Sequence, residues 1–473
     1  MTSLGSAVAS TLLLSCALVA CGPGGTTYDL VLEGGRVLDP ETGFDRIANV
    51  GIRGGTIAEV SDRELRGRRV VDASGLVVAP GFIDLHEHGQ TDEAYRVMVR
   101  DGVTTALELE VGTGDVDAWY AERAGGQRVN FGASVGHIPV RMDVLGDPGT
   151  GLLPAGVGGS GVATPGQLDA IEARLRRGLD RGALAVGFGS AYTPGATMAE
   201  IERMFRVAAD YGASVHIHMR GGVAGLDSTI AAARRAGAPL HIVHVNSSAG
   251  EDLGAFLAAI RAAREAGQDV TTETYPYRAG MTEITSALFD DWRSWPDERF
   301  AELRYVPTGQ RLTRETFPAA REAGGTVIIF SRTEEQTRAA VASPLAMIAS
   351  DGFIVDGRGH PRTSGTYSKV LGRYVRDRGL LALPEAVARM TIMPARRLEA
   401  RAPAFARKGR LREGMDADIT LFDPGKVLDR STYEDPAEPA AGIPYVIVGG
   451  ELVVDGGELT GARPGVGVRA PVR

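Results

Sequence analysis

Eight strand-length apolar runs recur between residues 81 and 352: GFIDLHEH, VTTALELE, FGASVGH, ALAVGFG, SVHIHM, LHIVHV, DVTTETYPY and AMIASDG. Helical patterns such as TPGQLDAIEARLRRGLDRG, TMAEIERMFRVAADYG and GLDSTIAAARRAGA alternate with them. Parallel strands need a crossover, usually a helix, so this alternation predicts a parallel sheet covered by helices. Eight such units close into a (β/α)8 TIM barrel, of the α/β class, whose chemistry lies at the C-terminal ends of the strands. The interval from about residue 285 to 343 is too long for one connection and contains the extra strand-like run GTVIIF, so it reads as an insertion over the barrel mouth.

The flanks have another texture. YDLVLEGGRVLD, NVGIRGGTIAEVS and RRVVDASGLVVAP are short Val/Ile/Leu runs broken by turn residues, and the same texture returns in ADITLFDP and YVIVGGELVVDGGEL. The two chain ends are expected to form one small β-sandwich, from residues 26–80 and 401–473 with a C-terminal tail, around a barrel over 81–400. Residues 1–25 form a signal and linker: an uncharged apolar stretch, too short to span a membrane, that runs into Leu18-Val19-Ala20-Cys21. That ending resembles the lipobox of bacterial lipoproteins, in which Cys21 becomes the lipidated first residue. It predicts an exported protein on the periplasmic side of the envelope, touching the membrane only through its lipid anchor. Without a working signal the protein stays in the cytoplasm.

Cys16 and Cys21 are the only cysteines, so the folded body has no thiol for a disulfide, a four-cysteine zinc site or a nucleophile. The net charge of -8 gives no electrostatic footprint for nucleic acid. The lysines are Lys369, Lys408 and Lys426, none of them before position 369.

Polar residues stand at the ends of the predicted strands. His86 and His88, two apart, share a face at the end of strand one. Glu110 ends strand two, His218 strand five, His244 strand six and Asp351 strand eight. Ligand-type side chains at one end of five strands converge above the barrel. All are nitrogen or oxygen donors, which suits Zn2+ best and admits manganese, cobalt or iron. His86, His88 and Asp351 would hold one ion and His218 and His244 a second, with a carboxylate between. One or two ions so placed support hydrolysis without a protein nucleophile.

FIDLHEHG, DGVTTALELE, SVGHIPVR, HIHMR, HIVHVN, TYPY, MIASDG, GHPRTSGTYSKVLGRYVR and REGMDADITLFDP resemble the amidohydrolase superfamily, and within it the N-acyl-D-amino-acid deacylase (D-aminoacylase) group, over roughly residues 27 to 458. The resemblance implies metal-dependent hydrolysis of the amide of an N-acyl amino acid, in the D form; a dipeptidase or another cyclic or linear amidase is the alternative. It implies that Asp351 takes a proton from the attacking water and returns it to the leaving amine. His137 would steady the developing oxyanion, Arg362 would grip the free carboxylate of a small-molecule substrate, and Tyr192 and Tyr275 would line the pocket.

Several positions depart from the group. Where it carries Asn-Cys, this chain reads Leu109-Glu110-Val111. Glu110 is the expected bridge between ions, with Glu108, about 6 to 7 Å deeper along the strand, as the alternative. The carboxylated lysine that bridges metals in other relatives is excluded by the missing lysines, and Asn246 replaces a lysine of the group. His216 is expected as a hydrogen-bonded barrel histidine, and His241, of opposite parity to His244, on the outer face. Glu273 is expected to point inward and support a metal-bound histidine. Arg220 is open between a structural contact and a substrate contact. The sequence leaves the oligomeric state undetermined.

Overall fold

The computed structural model describes residues 27–473 together with Met1 and Thr2; Cys21 and the signal lie outside the described residues. The barrel strands are β1 (Phe82–Asp84), β2 (Val103–Thr113), β3 (Asn130–Gly136), β4 (Ala185–Gly189), β5 (Ser214–His218), β6 (Leu240–Ile242), β7 (Val270–Thr274) and β8 (Ala346–Ile348). They follow one another in one sheet in chain order, each neighbouring pair parallel. The seam between β8 and β1 is joined just past the strand ends. There Ser350 N donates to Asp84 Oδ1 at 3.0 Å and His88 N to Gly352 O at 2.8 Å.

The covering helices start where the sequence offers a cap. Thr164 and Gln167 form a capping box ahead of helix Pro165–Asp180, whose Ile171, Leu175 and Leu179 make one buried stripe at four-residue spacing. Thr197 caps helix Met198–Asp210 by accepting from Glu200 N.

The two chain ends meet in one nine-stranded mixed sheet. Strand Thr27–Asp39 pairs in parallel with Val77–Pro80, which pairs antiparallel with Ile419–Phe422. Leu32, Val50, Ile52, Ile419 and Ile447 form its core. Lys408 ties it to the barrel: Nζ lies 2.7 Å from Asp418 Oδ2, which also accepts from Asn130 Nδ2 of β3 at 2.9 Å.

Between β7 and β8 the chain builds a four-stranded sheet of Gly280–Glu283, Thr326–Ile329, Leu303–Tyr305 and Gln310–Arg311. The run GTVIIF supplies its central strand, and Phe289, Trp295, Phe300 and Phe317 pack as its own aromatic core. No helix among the described residues is long and apolar enough to cross a membrane.

Candidate active site

Two donor clusters share one carboxylate above the barrel. His86 Nε2 and His88 Nε2 face each other at 3.0 Å, and Glu110 Oε2 lies 2.7 and 3.2 Å from them. Asp351 Oδ1 is 3.4 Å from both. In the second cluster His218 Nδ1 and His244 Nε2 are 3.1 Å apart, and Glu110 Oε1 lies 3.2 Å from His218 Nδ1. Thus one oxygen of Glu110 faces each cluster, and the ligand-type atoms of each lie within 4.8 Å of one another.

This donor set fits divalent cations. Ligand atoms about 2.0–2.1 Å from a tetrahedral zinc stand about 3.3–3.4 Å apart, close to the spacings here. Facing ring nitrogens need something positive between them, and the buried Glu110 Oε1 makes no hydrogen bond. In three of the four histidines the outer ring nitrogen is already engaged, which turns the inner one toward the clusters. His86 Nδ1 is held by Glu273 Oε1 at 2.5 Å, His88 Nδ1 by Glu108 Oε2 at 3.0 Å and His244 Nδ1 by Ser248 Oγ at 3.2 Å. Glu108 therefore supports a cluster histidine, and Glu110 takes the position between the two groups.

Neighbouring groups set the ionisation of the cluster carboxylates. Burial works to raise the Asp351 carboxyl, but Arg362 and then His86 outweigh it and hold Asp351 well below the usual carboxylate range. Burial also opposes ionisation of Glu110, and the ring nitrogens of His218, His86 and His88 around it overcome that and hold its carboxyl well below the usual range. Burial, reinforced by His218, pushes His244 down to about 3, so this imidazole is neutral and free to ligate.

His244 (φ 32°) and Asp351 (φ 53°) are two of the four non-glycine residues with positive φ among the described residues. Such backbone costs about 1–3 kcal/mol and gathers at functional sites. Here it bends the chain past β6 and β8 so that both side chains turn inward.

That bend corrects the reading of His241. Strand β6 ends at Ile242, so parity cannot be counted through to His244. His241 is fully buried in the barrel, with Nε2 3.0 Å from Glu273 Oε2 and its ring 4.5 Å from that of His216. His216 is a buried barrel histidine paired with Ser214 Oγ, and Glu273 joins His241 to His86. His137 also needs correction: it opens helix His137–Leu145, and the turn out of β3 carries its side chain away from the cavity. Its ring stacks on Phe188 at 4.7 Å and its Nε2 lies 3.0 Å from Glu200 Oε1, so it holds the barrel wall.

A cavity of about 400 Å³ opens over the clusters, bounded by His88, Glu110, His218, His244, Asp351 and Arg362 at its polar end. Tyr192 lies against His218, and Tyr275 forms the facing wall. Leu152, Leu153, Met281, Leu288 and Ile329 make an apolar flank. Arg362 is 1 % exposed; its Nη1 lies 2.8 Å from Asp351 Oδ2 and its guanidinium 4.6 Å from the centre of the Tyr275 ring. Arg220 donates to the backbone carbonyls of Thr193, Pro194 and Ala196. Sequence reasoning missed Ser247 and Arg332, which reach the Tyr275 side of the cavity, because neither stands at a strand end.

Known proteins resemble this chain in sequence and fold. The model of the amidohydrolase family matches residues 77–453. The N-acyl-D-glutamate deacylase of Alcaligenes xylosoxydans xylosoxydans is 34 % identical over 89 % of this chain and 93 % of its own length. The D-aminoacylase of the same organism is 32 % identical over 93 % of this chain and 97 % of its own. The crystal structure of N-acyl-D-glutamate deacylase from Bordetella bronchiseptica, complexed with zinc and a phosphonate inhibitor that mimics the tetrahedral intermediate, superposes with a TM-score of 0.82. It is 30 % identical and covers 94 % of this chain and all of its own. With a parallel barrel, two donor clusters sharing Glu110 at its C-terminal end and kinship along nearly its whole length, the chain belongs to the amidohydrolase family and is a metal-dependent hydrolase of amide bonds.

Proposed function

We propose that this enzyme hydrolyses the amide bond of N-acyl-D-amino acids, yielding a carboxylic acid and the free amino acid. The observation that carries the reading is the placement of Glu110 between two donor clusters, with Asp351 beside them, at the end of a cavity sized for a small molecule. In this reading His86, His88, Glu110, His218, His244 and Asp351 hold one or two zinc-type ions. A bound divalent ion polarises the amide carbonyl and lowers the pKa of water. Asp351, kept ionised beside Arg362, takes the proton of the attacking water and passes it to the nitrogen as the C–N bond breaks. Tyr192 and Tyr275 flank the reacting amide, and the Leu152–Leu153 side receives the acyl group. The D configuration and the free carboxylate are supported by the substrates for which the two Alcaligenes relatives are named.

The test is a panel of N-acyl-D-amino acids, N-acyl-L-amino acids, dipeptides and cyclic amides, given to chelator-treated and zinc-reconstituted protein. Zinc-dependent release of free D-amino acid is expected. Turnover confined to dipeptides or cyclic amides would replace this reading with a dipeptidase or another amidase.

The LVAC ending further supports export and lipid anchoring at Cys21 on the periplasmic side of the envelope. In a bacterial host, Cys21→Ser should move the enzyme from the membrane fraction to the soluble one; equal membrane retention would count against the anchor.

A further inference from the structure

Arg220 and Arg362 line the cavity and Arg332 stands just behind its Tyr275 wall, and their charges are engaged differently. Arg362 faces Asp351 Oδ2 at 2.8 Å. Arg220 is taken up by the carbonyls of Thr193, Pro194 and Ala196 at 3.0, 3.1 and 2.6 Å. Arg332, 9 % exposed, donates from Nη1 to Ser247 Oγ at 3.2 Å and from Nη2 to Tyr275 Oη at 2.8 Å. Its Nε has no partner, and it forms no ion pair with any carboxylate among the described residues. A buried guanidinium facing only two hydroxyls lacks the anion that would compensate it.

The space for that anion is beside Gly280. A Cβ on this residue would lie 3.3 Å from Tyr275 Oη and 3.7 Å from both Arg332 Nη2 and Ser247 Oγ. The absent side chain leaves one spot within reach of a cation and two hydroxyls. Gly280, Tyr275 and Ser247 all line the cavity, with Arg332 directly behind them. Each hydroxyl accepts from Arg332 and still has its own proton to donate.

We propose that this notch is the carboxylate subsite. Arg332 supplies the counter-charge, the Tyr275 and Ser247 hydroxyls donate to the carboxylate oxygens, and Arg362 stays with Asp351 as a positioning residue. Gly280 and Arg332 both belong to the segment between β7 and β8, so that segment selects substrates bearing an anion while the barrel carries the hydrolytic groups. The inference rests on the N-acyl amino acid reading and deepens it.

Binding separates the two. The probes are 4-oxopentanoate, in which CH2 replaces the amide NH of N-acetylglycine, and its neutral carboxamide, titrated against zinc-loaded protein by ligand-observed NMR. The wild type should bind the acid at least about tenfold more tightly than the carboxamide, as expected for a hydrogen-bonded charge pair. Arg332→Met should erase most of that preference while carboxamide affinity stays within about twofold, and Arg332→Lys should keep part of it. Gly280→Ala fills the notch while keeping the arginine itself, so it reads the site even if Arg332→Met fails to fold, and it too should lose the preference. No acid preference in the wild type, or its survival in Gly280→Ala or in folded Arg332→Met, overturns the subsite. If acid preference is present and lost in the variants while no N-acyl amino acid is turned over, the subsite stands and the substrate reading falls.

Discussion

Glu110 turns one oxygen to each histidine pair, whereas Glu108 reaches only the outer nitrogen of His88. Glu110→Gln should therefore lower the metal content of protein purified without chelator and abolish most turnover. Glu108→Gln should leave both sites in place and weaken metal affinity by the ~10- to 100-fold typical of lost supporting contacts. Metal analysis of the two variants decides, and full metal content in Glu110→Gln with a loss in Glu108→Gln would reverse the roles. Asp351→Asn keeps the shape but cannot accept a proton, so kcat should fall ~10²- to 10⁴-fold. The Arg362–Asp351 contact changes what is expected of Arg362→Lys: kcat should drop alike on N-acyl amino acids and on their carboxamides, because the lost contact is to the base. A rise in KM on the acids alone would return Arg362 to carboxylate binding. At this scale two-residue periodicity carried the reading as long as the backbone stayed extended. It placed His86 with His88, and it failed for His241, where the count ran past Ile242 into the left-handed turn at His244.

The elements divide the work unequally. The barrel strands end in the cluster residues, while the segment between β7 and β8 folds around its own aromatic cluster and forms part of the cavity wall. Phe317 is fully buried in that cluster, and truncating such a side chain costs about 3–5 kcal/mol. Phe317→Ala should loosen this segment and leave the barrel closed: new protease cleavage between residues 284 and 327, a raised KM and unchanged metal content. Loss of metal together with the cleavage would mean that the segment also supports the clusters. The run GTVIIF marked a strand here, but a small sheet of four short strands has no repeat by which its pairing can be read.

The whole molecule is held by contacts between distant parts of the chain. The C-terminal tail returns to the barrel, where Val466 N donates to Asn130 Oδ1, Tyr120 Oη donates to Val468 O, and Val468 and Ala470 pack with Leu107, Leu109 and Leu184. Burying one valine is worth about 1.5–3 kcal/mol. Deleting residues 465–473 should thus lower Tm by at least about 2 °C while zinc stoichiometry is kept, as checked by thermal denaturation and metal analysis. An unchanged Tm would show that the tail only rests on the barrel. The sequence by itself determined the strand–helix alternation and the end of each strand that bears donors, because periodicity and chain direction are local properties of the backbone. Tertiary structure decided each donor's partner. His86 meets Glu273 across 187 positions, Arg362 spends its charge on Asp351, and Arg332 arrives behind Tyr275 from the inserted segment. Such pairings depend on tenths of an ångström between strands and loops brought together by barrel closure, and no local repeat specifies them.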